Sequence, residues 1–183
     1  MGFRRRRENR TNYGKRLGLI KGETPRLVAR ATNTGIIVQV VSFEAVGDKV
    51  LASAHSRELS AHGWMPQSNT PTAYLVGLLA GSRAKKAGVK GFHLDVGMST
   101  PTKGAILFAA GLGAKASGLE ASIDEKLVDA KRIDGSHIAA FAKKMKADNS
   151  AQYAKHFARY ESKKIDVTNL PAVFAQVRSK ISG

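Results

Sequence analysis

The sequence of 183 residues contains no cysteine, few acidic residues and no long apolar segment. The absence of cysteine excludes disulfides, thiolate catalysis, iron–sulfur clusters and cysteine-ligated zinc. The longest apolar run, from Gly104 to Ala114, is about half of the roughly 20 residues that cross a bilayer. No apolar segment follows the basic N-terminus, so we expect no export signal, no membrane partner and a cytoplasmic protein.

The amino-acid composition is that of an ordinary globular protein, since 43% of the residues are hydrophobic and 24% are charged. A chain of this length buries roughly two-thirds of the surface of its unfolded state, which is enough for a core without disulfides or metals. We therefore expect one folded domain with extensions.

Positive charge is concentrated at the two ends of the chain. There are 30 Lys and Arg against 14 Asp and Glu, which gives a formal net charge of +16. Residues 1–30 hold ten basic and two acidic residues, residues 31–130 nine and eight, and residues 131–183 eleven and four. Like charges collected in one region repel each other, so the pattern is typical of a protein that a polyanion neutralises. Nucleic acid is the commonest such partner, and an acidic protein or an anionic membrane is the alternative.

The segment from Met1 to Arg10 is predicted to be an extended basic arm. Guanidinium groups bind phosphate in a bidentate manner and stack on bases. A helix at a membrane surface needs an apolar face, and Phe3 is the only bulky apolar residue here, which argues against a membrane. A disordered tail that adds only solubility is the other interpretation. The candidate RNA-binding residues of the arm are Arg4, Arg5, Arg6, Arg7 and Arg10.

A short helix is predicted after the arm, with Thr11 as its N-cap and Gly22 at its end. Tyr13 lies on the apolar stripe of this helix, and Lys15 and Arg16 lie off the stripe. The basic side of the helix can therefore continue the contacts of the arm.

Four strands are predicted, over residues 26–31, 36–43, 50–55 and 91–96. The first two are joined by turn residues at 32–35, so they form a hairpin, and the third continues an antiparallel meander. The fourth follows a long helix and is therefore expected to pair in parallel through a crossover.

Two arginines on the first strand are candidates for contact with RNA. Arg26 and Arg30 are four residues apart, so their side chains lie on the same face of the sheet. That face either contacts RNA or points into solvent, and the residues alone leave both interpretations open.

The clearest helix is predicted to begin with Thr70 as N-cap and Pro71 at the first helical position, and to end at Gly88. Gly77 and Gly81 are four residues apart within it. This spacing of small residues is expected to allow close packing on the sheet.

Further helices complete the prediction. A second apolar helix is expected over residues 104–117, closed by Gly118. In the basic C-terminal part, Ser136 is expected to cap one helix, and Thr168 with Pro171 to open the last.

The predicted fold is therefore α/β, with a mixed sheet of about four strands and helices packed on it. Three regions are expected: a basic N-terminal arm and short helix at 1–22, a globular RNA-binding domain at 23–130, and a basic helical C-terminal extension at 131–183.

No pattern of residues indicates an enzyme, a metal site or a cofactor. The loop GMSTPTKG at 97–104 lacks the Gly-Lys-Ser/Thr of a phosphate-binding loop. The five histidines show no i, i+4 pairing. A nuclease on a ribonuclease-H-like sheet would need several clustered carboxylates, and Asp95 is the only acid at a predicted strand end.

Several stretches of the sequence resemble one known family in collinear order. These are RRRRENRTNYGKRLGLIKGETPRLVAR, LASAHSRELSAHGW, TPTAYLVGLLAGSRAKKAGV, LDVGMSTPTKGAILFAAGLGAKASGL and RIDGSHIAAFAKK. They resemble the large-subunit ribosomal proteins numbered eighteen in bacteria and archaea and five in eukaryotes, over roughly residues 3–145. The long basic N-terminus and the C-terminal extension are similar to the archaeal members.

The resemblance implies a structural protein that binds 5S rRNA and attaches it to the large subunit in the central protuberance. It also implies contacts with 23S rRNA and with neighbouring ribosomal proteins, including the other 5S-binding protein. A general RNA- or DNA-binding protein outside the ribosome is the alternative.

The family's motif also matches individual positions of this chain. The match covers the arginines of the arm, then Tyr13, Arg16, Arg26, Arg30 and Asn33. His55 and Trp64 match a loop motif that is either structural or in contact with RNA. Members commonly have lysine close after the asparagine, whereas this chain has Thr34 and Gly35 there and so lacks that positive charge.

Overall fold

The computed structural model describes residues 2–182 and contains a four-stranded mixed sheet with packed helices, which confirms the predicted α/β fold. The strands are β1 (Arg26–Ala31), β2 (Ile36–Ser42), β3 (Lys49–His55) and β4 (His93–Asp95). The helices are α1 (Arg4–Arg7), α2 (Tyr13–Ile20), α3 (Thr70–Lys86), α4 (Ile106–Ala116), α5 (Ala130–Ile133), α6 (Ser136–Asp148), α7 (Ser150–Ser162) and α8 (Leu170–Ser182). In the described residues, no helix combines the length and apolar character needed to cross a membrane.

The sheet has the strand order β3-β2-β1-β4. The first three strands form the predicted antiparallel meander, with Arg26 opposite Val41 and Ala31 opposite Ile36. Strand β4 pairs in parallel with β1, as the crossover through helix α3 required. It is shorter than predicted, since only residues 93–95 pair with β1.

One face of the sheet is buried beneath helices. Alternate side chains of β1, Leu27 and Ala29, are almost fully buried on that face, as are Val38 and Val40 of β2. The period of two in a strand sends the residues between them to the opposite face. Helices α3 and α4 cover the buried side, so the other side of the sheet stays available for a binding surface.

Glycines allow α3 and α4 to approach each other closely. A Cβ placed at Gly77 would overlap the backbone carbonyl of Ala110, and one at Gly81 would lie 2.9 Å from the Cα of Ala114. Close packing at this spacing was predicted against the sheet, and that expectation was wrong. The glycines face the second helix, which lies beside α3 on the same side of the sheet.

The C-terminal helices share the core of the sheet domain. Phe174 of α8 packs against Trp64 and Tyr74, with ring centroids 6.0 and 5.7 Å apart. The Tyr160 hydroxyl of α7 donates a hydrogen bond to Gln67. Residues 131–182 therefore pack on the folded domain through apolar side chains, and their basic residues remain on the outside.

Three predicted helix caps were wrong, because a neighbouring residue occupies each N-cap position. Asn12, in place of Thr11, accepts a hydrogen bond from the Lys15 amide at 3.0 Å. Asn69 caps α3, so Thr70 is its first residue. Gly135 occupies the N-cap of α6, since the Ser136 hydroxyl donates to Asp134 instead.

The opening of the last helix also differs from the prediction. Thr168 lies in a short 3-10 turn, Val167–Asn169, which Asp166 caps by accepting from the Thr168 amide. Helix α8 begins after it at Leu170.

Candidate nucleic-acid interface

The sheet face opposite the helices forms a basic cleft with the N-terminal segment. Arg26, Val28 and Arg30 alternate with the core residues of β1 and therefore lie on this face. Residues of the arm and of α2 form the other wall of the cleft, whose volume is about 530 Å³. We call this surface the basic cleft; its charged lining residues are Arg5, Arg10, Lys15, Arg16, Arg26, Arg30, Asp48 and Asp95. Six cations thus face two carboxylates, and each of the six is a residue that the sequence predicted to bind RNA.

The arm is not extended as predicted, because Arg4–Arg7 form one turn of helix. Its side chains remain exposed, as an arm that binds phosphate requires. Local bonds order it: Arg4 and Arg10 pair with Glu8 at 2.8 and 3.4 Å, and Arg5 donates to the Thr11 hydroxyl at 2.8 Å.

Tyr13 begins helix α2 and is half-buried. Its ring packs against Phe3, with the centroids 4.9 Å apart. This aromatic contact joins the start of the arm to the helix, and it leaves part of the tyrosine ring accessible.

Arg26 is not free to contact RNA, and the prediction that it does so needs correction. Its side chain is 4% exposed, and its guanidinium donates to Asp48 at 2.7 Å and to Asp95 at 2.8 Å. A buried guanidinium is tolerated only where carboxylates compensate its charge. Arg26 therefore organises the floor of the cleft.

Arg16 and Arg30 take different positions in the cleft. Arg16 is half-buried and pairs with the second oxygen of Asp48 at 3.0 Å. Arg30 is exposed and lies over Gly97, where a Cβ would overlap its guanidinium. Gly97 also has a φ of +62°, a left-handed conformation that glycine adopts without strain. Among residues 2–182, Lys15 and Arg30 form no ion pair, so both are available to an anion.

Asn33 and His55 lie toward the hairpin end of the sheet. Asn33 is exposed in the turn between β1 and β2. His55 is half-buried at the end of β3, and its Nδ1 accepts a hydrogen bond from the Arg57 amide at 2.9 Å. This bond makes His55 the cap of the following 3-10 helix, Ser56–His62, and so gives it a structural task besides any contact with RNA.

Glu58 completes the turn that His55 begins. Its carboxylate accepts from the His55 amide at 2.7 Å and from Arg83 at 2.6 Å. Burial acts to raise the pKa of Glu58, but the hydrogen bonds from Arg83 and His55 outweigh it and hold the pKa below its ordinary value.

Trp64 is a core residue, which favours the structural one of the two interpretations of its loop motif. Its side chain is 2% exposed. The indole N–H donates to the Thr72 hydroxyl at 2.9 Å, and the ring packs on Phe174. A large aromatic side chain with its polar atom satisfied is a feature of a core rather than of a binding surface.

Sequence reasoning missed Asp48 as part of the interface. The Gly47-Asp48 pair is ordinary turn chemistry, and no local signal shows that the carboxylate reaches across to Arg16 and Arg26. The sequence offers Asp95 as the acid at a predicted strand end and gives no sign of its ion pair. In the structure its carboxylate holds Arg26 and accepts from the Gly97 amide at 2.9 Å. Within residues 2–182, no group of three or more His, Asp or Glu is placed to hold a metal ion.

Comparison with known proteins identifies similar chains. Residues 1–90 match the family described as ribosomal large subunit proteins 60S L5 and 50S L18. Large ribosomal subunit protein uL18 of Metallosphaera sedula is 43% identical over 180 residues, which cover 98% of this chain and 92% of the relative. The uL18 protein of Staphylothermus marinus is 44% identical over 181 residues, covering 97% and 90%. That of Ignicoccus hospitalis is 42% identical over 180 residues, covering 97% and 88%.

Proposed function

The chain belongs to the uL18 family of large-subunit ribosomal proteins, and from this we propose that it binds 5S rRNA and attaches it to the large subunit in the central protuberance. As a member of that family it is a structural constituent of the cytoplasmic ribosome and not an enzyme. Its proposed contacts extend to 23S rRNA and to neighbouring proteins, including the other 5S-binding protein.

The basic cleft is the observation that carries the proposal. Its six cations line one concave surface on the open face of the sheet, and only two carboxylates oppose them. A surface of this kind binds phosphates and releases their counterions, which supplies most of the affinity of a protein for nucleic acid. Phosphate contacts are assigned to Arg5, Arg10, Lys15 and Arg30, together with the exposed arginines of the arm.

Selectivity for one RNA needs more than phosphate contacts. Side chains cannot read the deep, narrow major groove of an RNA helix, so proteins recognise its shape, its 2′-hydroxyl groups and its unpaired bases. We assign Tyr13 to stacking on an unpaired base, and Asn33 and His55 to polar contacts at the hairpin end of the sheet.

The C-terminal helices support a second contact, which we assign to 23S rRNA. Residues 131–183 hold eleven basic and four acidic residues. Apolar side chains such as Phe157 and Phe174 are buried in the core, while Lys143, Lys144 and Lys146 of α6 are exposed. A protein that contacts two RNAs on separate surfaces can hold one RNA against the other.

A titration with 5S rRNA tests the role of the arm. The variant lacks residues 2–11, so that Asn12 still caps helix α2. We expect weaker binding in a gel-shift titration, with an unchanged circular dichroism spectrum and melting temperature. Unchanged affinity would refute the role of the arm.

Competition separates the ribosomal role from the alternative of general nucleic-acid binding. Labelled 5S rRNA is displaced with unlabelled 5S rRNA, with an unrelated RNA of equal length and with duplex DNA, at physiological salt. We expect 5S rRNA to compete best. Equal competition by all three would favour a general RNA- or DNA-binding protein.

A further inference from the structure

We propose that Asp48 is a positioning residue for RNA binding, because its carboxylate fastens helix α2 and the arm over the open face of the sheet. This inference rests on the proposed binding of RNA to the basic cleft. It assigns a function in RNA binding to Asp48, although the negative charge of this residue by itself repels the phosphates of RNA.

Asp48 stands in the middle of a connected set of ion pairs. One carboxylate oxygen accepts from Arg16 of α2 at 3.0 Å, and the other accepts from Arg26 of β1 at 2.7 Å. Arg26 also pairs with Asp95 at 2.8 Å, and the Asp95 carboxylate accepts a hydrogen bond from the Gly97 amide. The set thus joins α2, the β2–β3 turn, β1 and the loop after β4.

The tie to Arg16 matters because the apolar packing of helix α2 is shallow, with side chains such as Leu19 and Ile20 only half-buried. None of the residues of α2 is buried. Within residues 2–182, one hydrogen bond joins residues 2–21 to the adjoining segment, from the Glu23 amide to the Ile20 carbonyl. The bond from Arg16 to Asp48 is the only other one that leaves residues 2–21, and it alone reaches a part of the chain that is distant in sequence. Without it, the helix and the arm would keep their local bonds and lose their fixed position over the sheet.

The burial of Arg26 explains how Asp48 is held in place. Arg26 is 4% exposed, so it needs carboxylate partners, and Asp48 and Asp95 each supply one oxygen to it. The second oxygen of Asp48 faces Arg16. The buried arginine therefore orients a carboxylate, and the carboxylate orients the helix that carries Lys15 and the arm.

Charge and positioning predict opposite results for the variant Asp48→Asn. The substitution makes the protein more positive, so electrostatics alone predicts tighter binding of RNA. If Asp48 positions the arm, the RNA must order a loose segment as it binds, and affinity falls. We expect binding of 5S rRNA to weaken about tenfold, the ratio that corresponds to about 1.4 kcal/mol.

Three comparison variants isolate the contribution of the bond between Arg16 and Asp48. Asp95→Asn removes the other carboxylate partner of Arg26 and leaves the bond between Arg16 and Asp48 in place. Glu161→Gln removes one negative charge from an exposed position of α7. Asp48→Glu keeps the carboxylate and is expected to restore most of the affinity. If Asp48→Asn binds 5S rRNA as tightly as Glu161→Gln does, the proposal is overturned.

Hydrogen–deuterium exchange of the RNA-free protein provides the second readout. In Asp48→Asn we expect faster exchange of the amides of α2, with the sheet unchanged. In Asp95→Asn we expect α2 to keep its protection. If the amides of α2 are equally protected in the wild type and in Asp48→Asn, Asp48 does not hold α2 in place and the proposal is refuted. This result does not depend on whether the protein binds 5S rRNA, so it is distinct from a failure of the proposed function.

A second pair of variants covers the case in which Asp48→Asn fails to fold. Arg16→Gln and Lys15→Gln each remove one positive charge from α2, but only Arg16 bonds to Asp48. We expect a larger loss of affinity and faster exchange of α2 in Arg16→Gln alone. Equal effects of the two substitutions would overturn the proposal.

Discussion

Gly77 of helix α3 lies directly against the backbone carbonyl of Ala110 in helix α4, at a distance that leaves no room for a Cβ. Gly113 of α4 makes the reciprocal contact with the carbonyl of Tyr74. The two helices that cover the sheet therefore touch through their backbones, and their separation is set by glycine.

Substitution of Gly77 by alanine is expected to destabilise the protein strongly. The Cβ would meet backbone atoms, so the helices must move apart, and overpacking of a core costs about 1–3 kcal/mol or more. The midpoint of urea unfolding measures the loss. Gly18→Ala in α2 is the matched control, since nothing lies within 4 Å of that position and alanine favours a helix by about 1 kcal/mol over glycine. Equal stability of the two variants would contradict the packing described here.

Replacement of Trp64 by phenylalanine is expected to lower stability without weakening the contact of the folded protein with RNA. The change leaves the Thr72 hydroxyl without its indole donor in a buried site, at a cost of about 1–3 kcal/mol. Thermal unfolding measures this loss, and titration with 5S rRNA below the melting temperature measures affinity. A large loss of affinity for 5S rRNA in a fully folded variant would contradict this prediction and indicate that Trp64 contacts RNA.

The ion pair of Glu58 with Arg83 makes stability depend on pH. The pKa of Glu58 is lowered in the folded protein because the hydrogen bonds from Arg83 and His55 outweigh the effect of burial. Ionised Glu58 therefore contributes its full stabilisation when the pH is above the pKa of Glu58 in the unfolded chain. This stabilisation is lost as the pH falls through the pKa of Glu58 in the folded protein. We expect the melting temperatures of the wild type and Glu58→Gln to differ at about pH 7 and to converge toward about pH 3. A difference that is constant with pH would rule out this assignment.

Removal of a phosphate contact is expected to change the salt dependence of binding. Arg30 is exposed and unpaired within the described residues, so we assign it one phosphate. Arg30→Gln is then expected to reduce the slope of log K against log salt by about 0.7–0.9. Lys86→Gln, at the end of α3 on the other side of the sheet, is the control and should leave the slope unchanged. An identical slope for Arg30→Gln and wild type would show that Arg30 makes no phosphate contact.

Much of the fold could be predicted from the sequence because its signals are local. The alternation of β1 and β2, the turn at 32–35 and the glycine after α3 each act over a few residues. Helix caps were predicted less well, since Asn12 and Thr11 are adjacent and both suit an N-cap. The choice between them depends on a single hydrogen bond.

The uneven charge and the candidate cations of the cleft were also determined by the sequence, because they follow from composition along the chain. Tertiary structure decided which of those cations are free. Arg26 and Asp95 are 69 residues apart in the chain and become partners only when β4 pairs with β1. Trp64 matched a loop motif that was either structural or in contact with RNA, and its packing against Phe174 of α8 placed it in the core. Side chains far apart in sequence meet only through the fold, so burial and ion pairing, and with them the division between binding and positioning residues, could not be read from the chain alone.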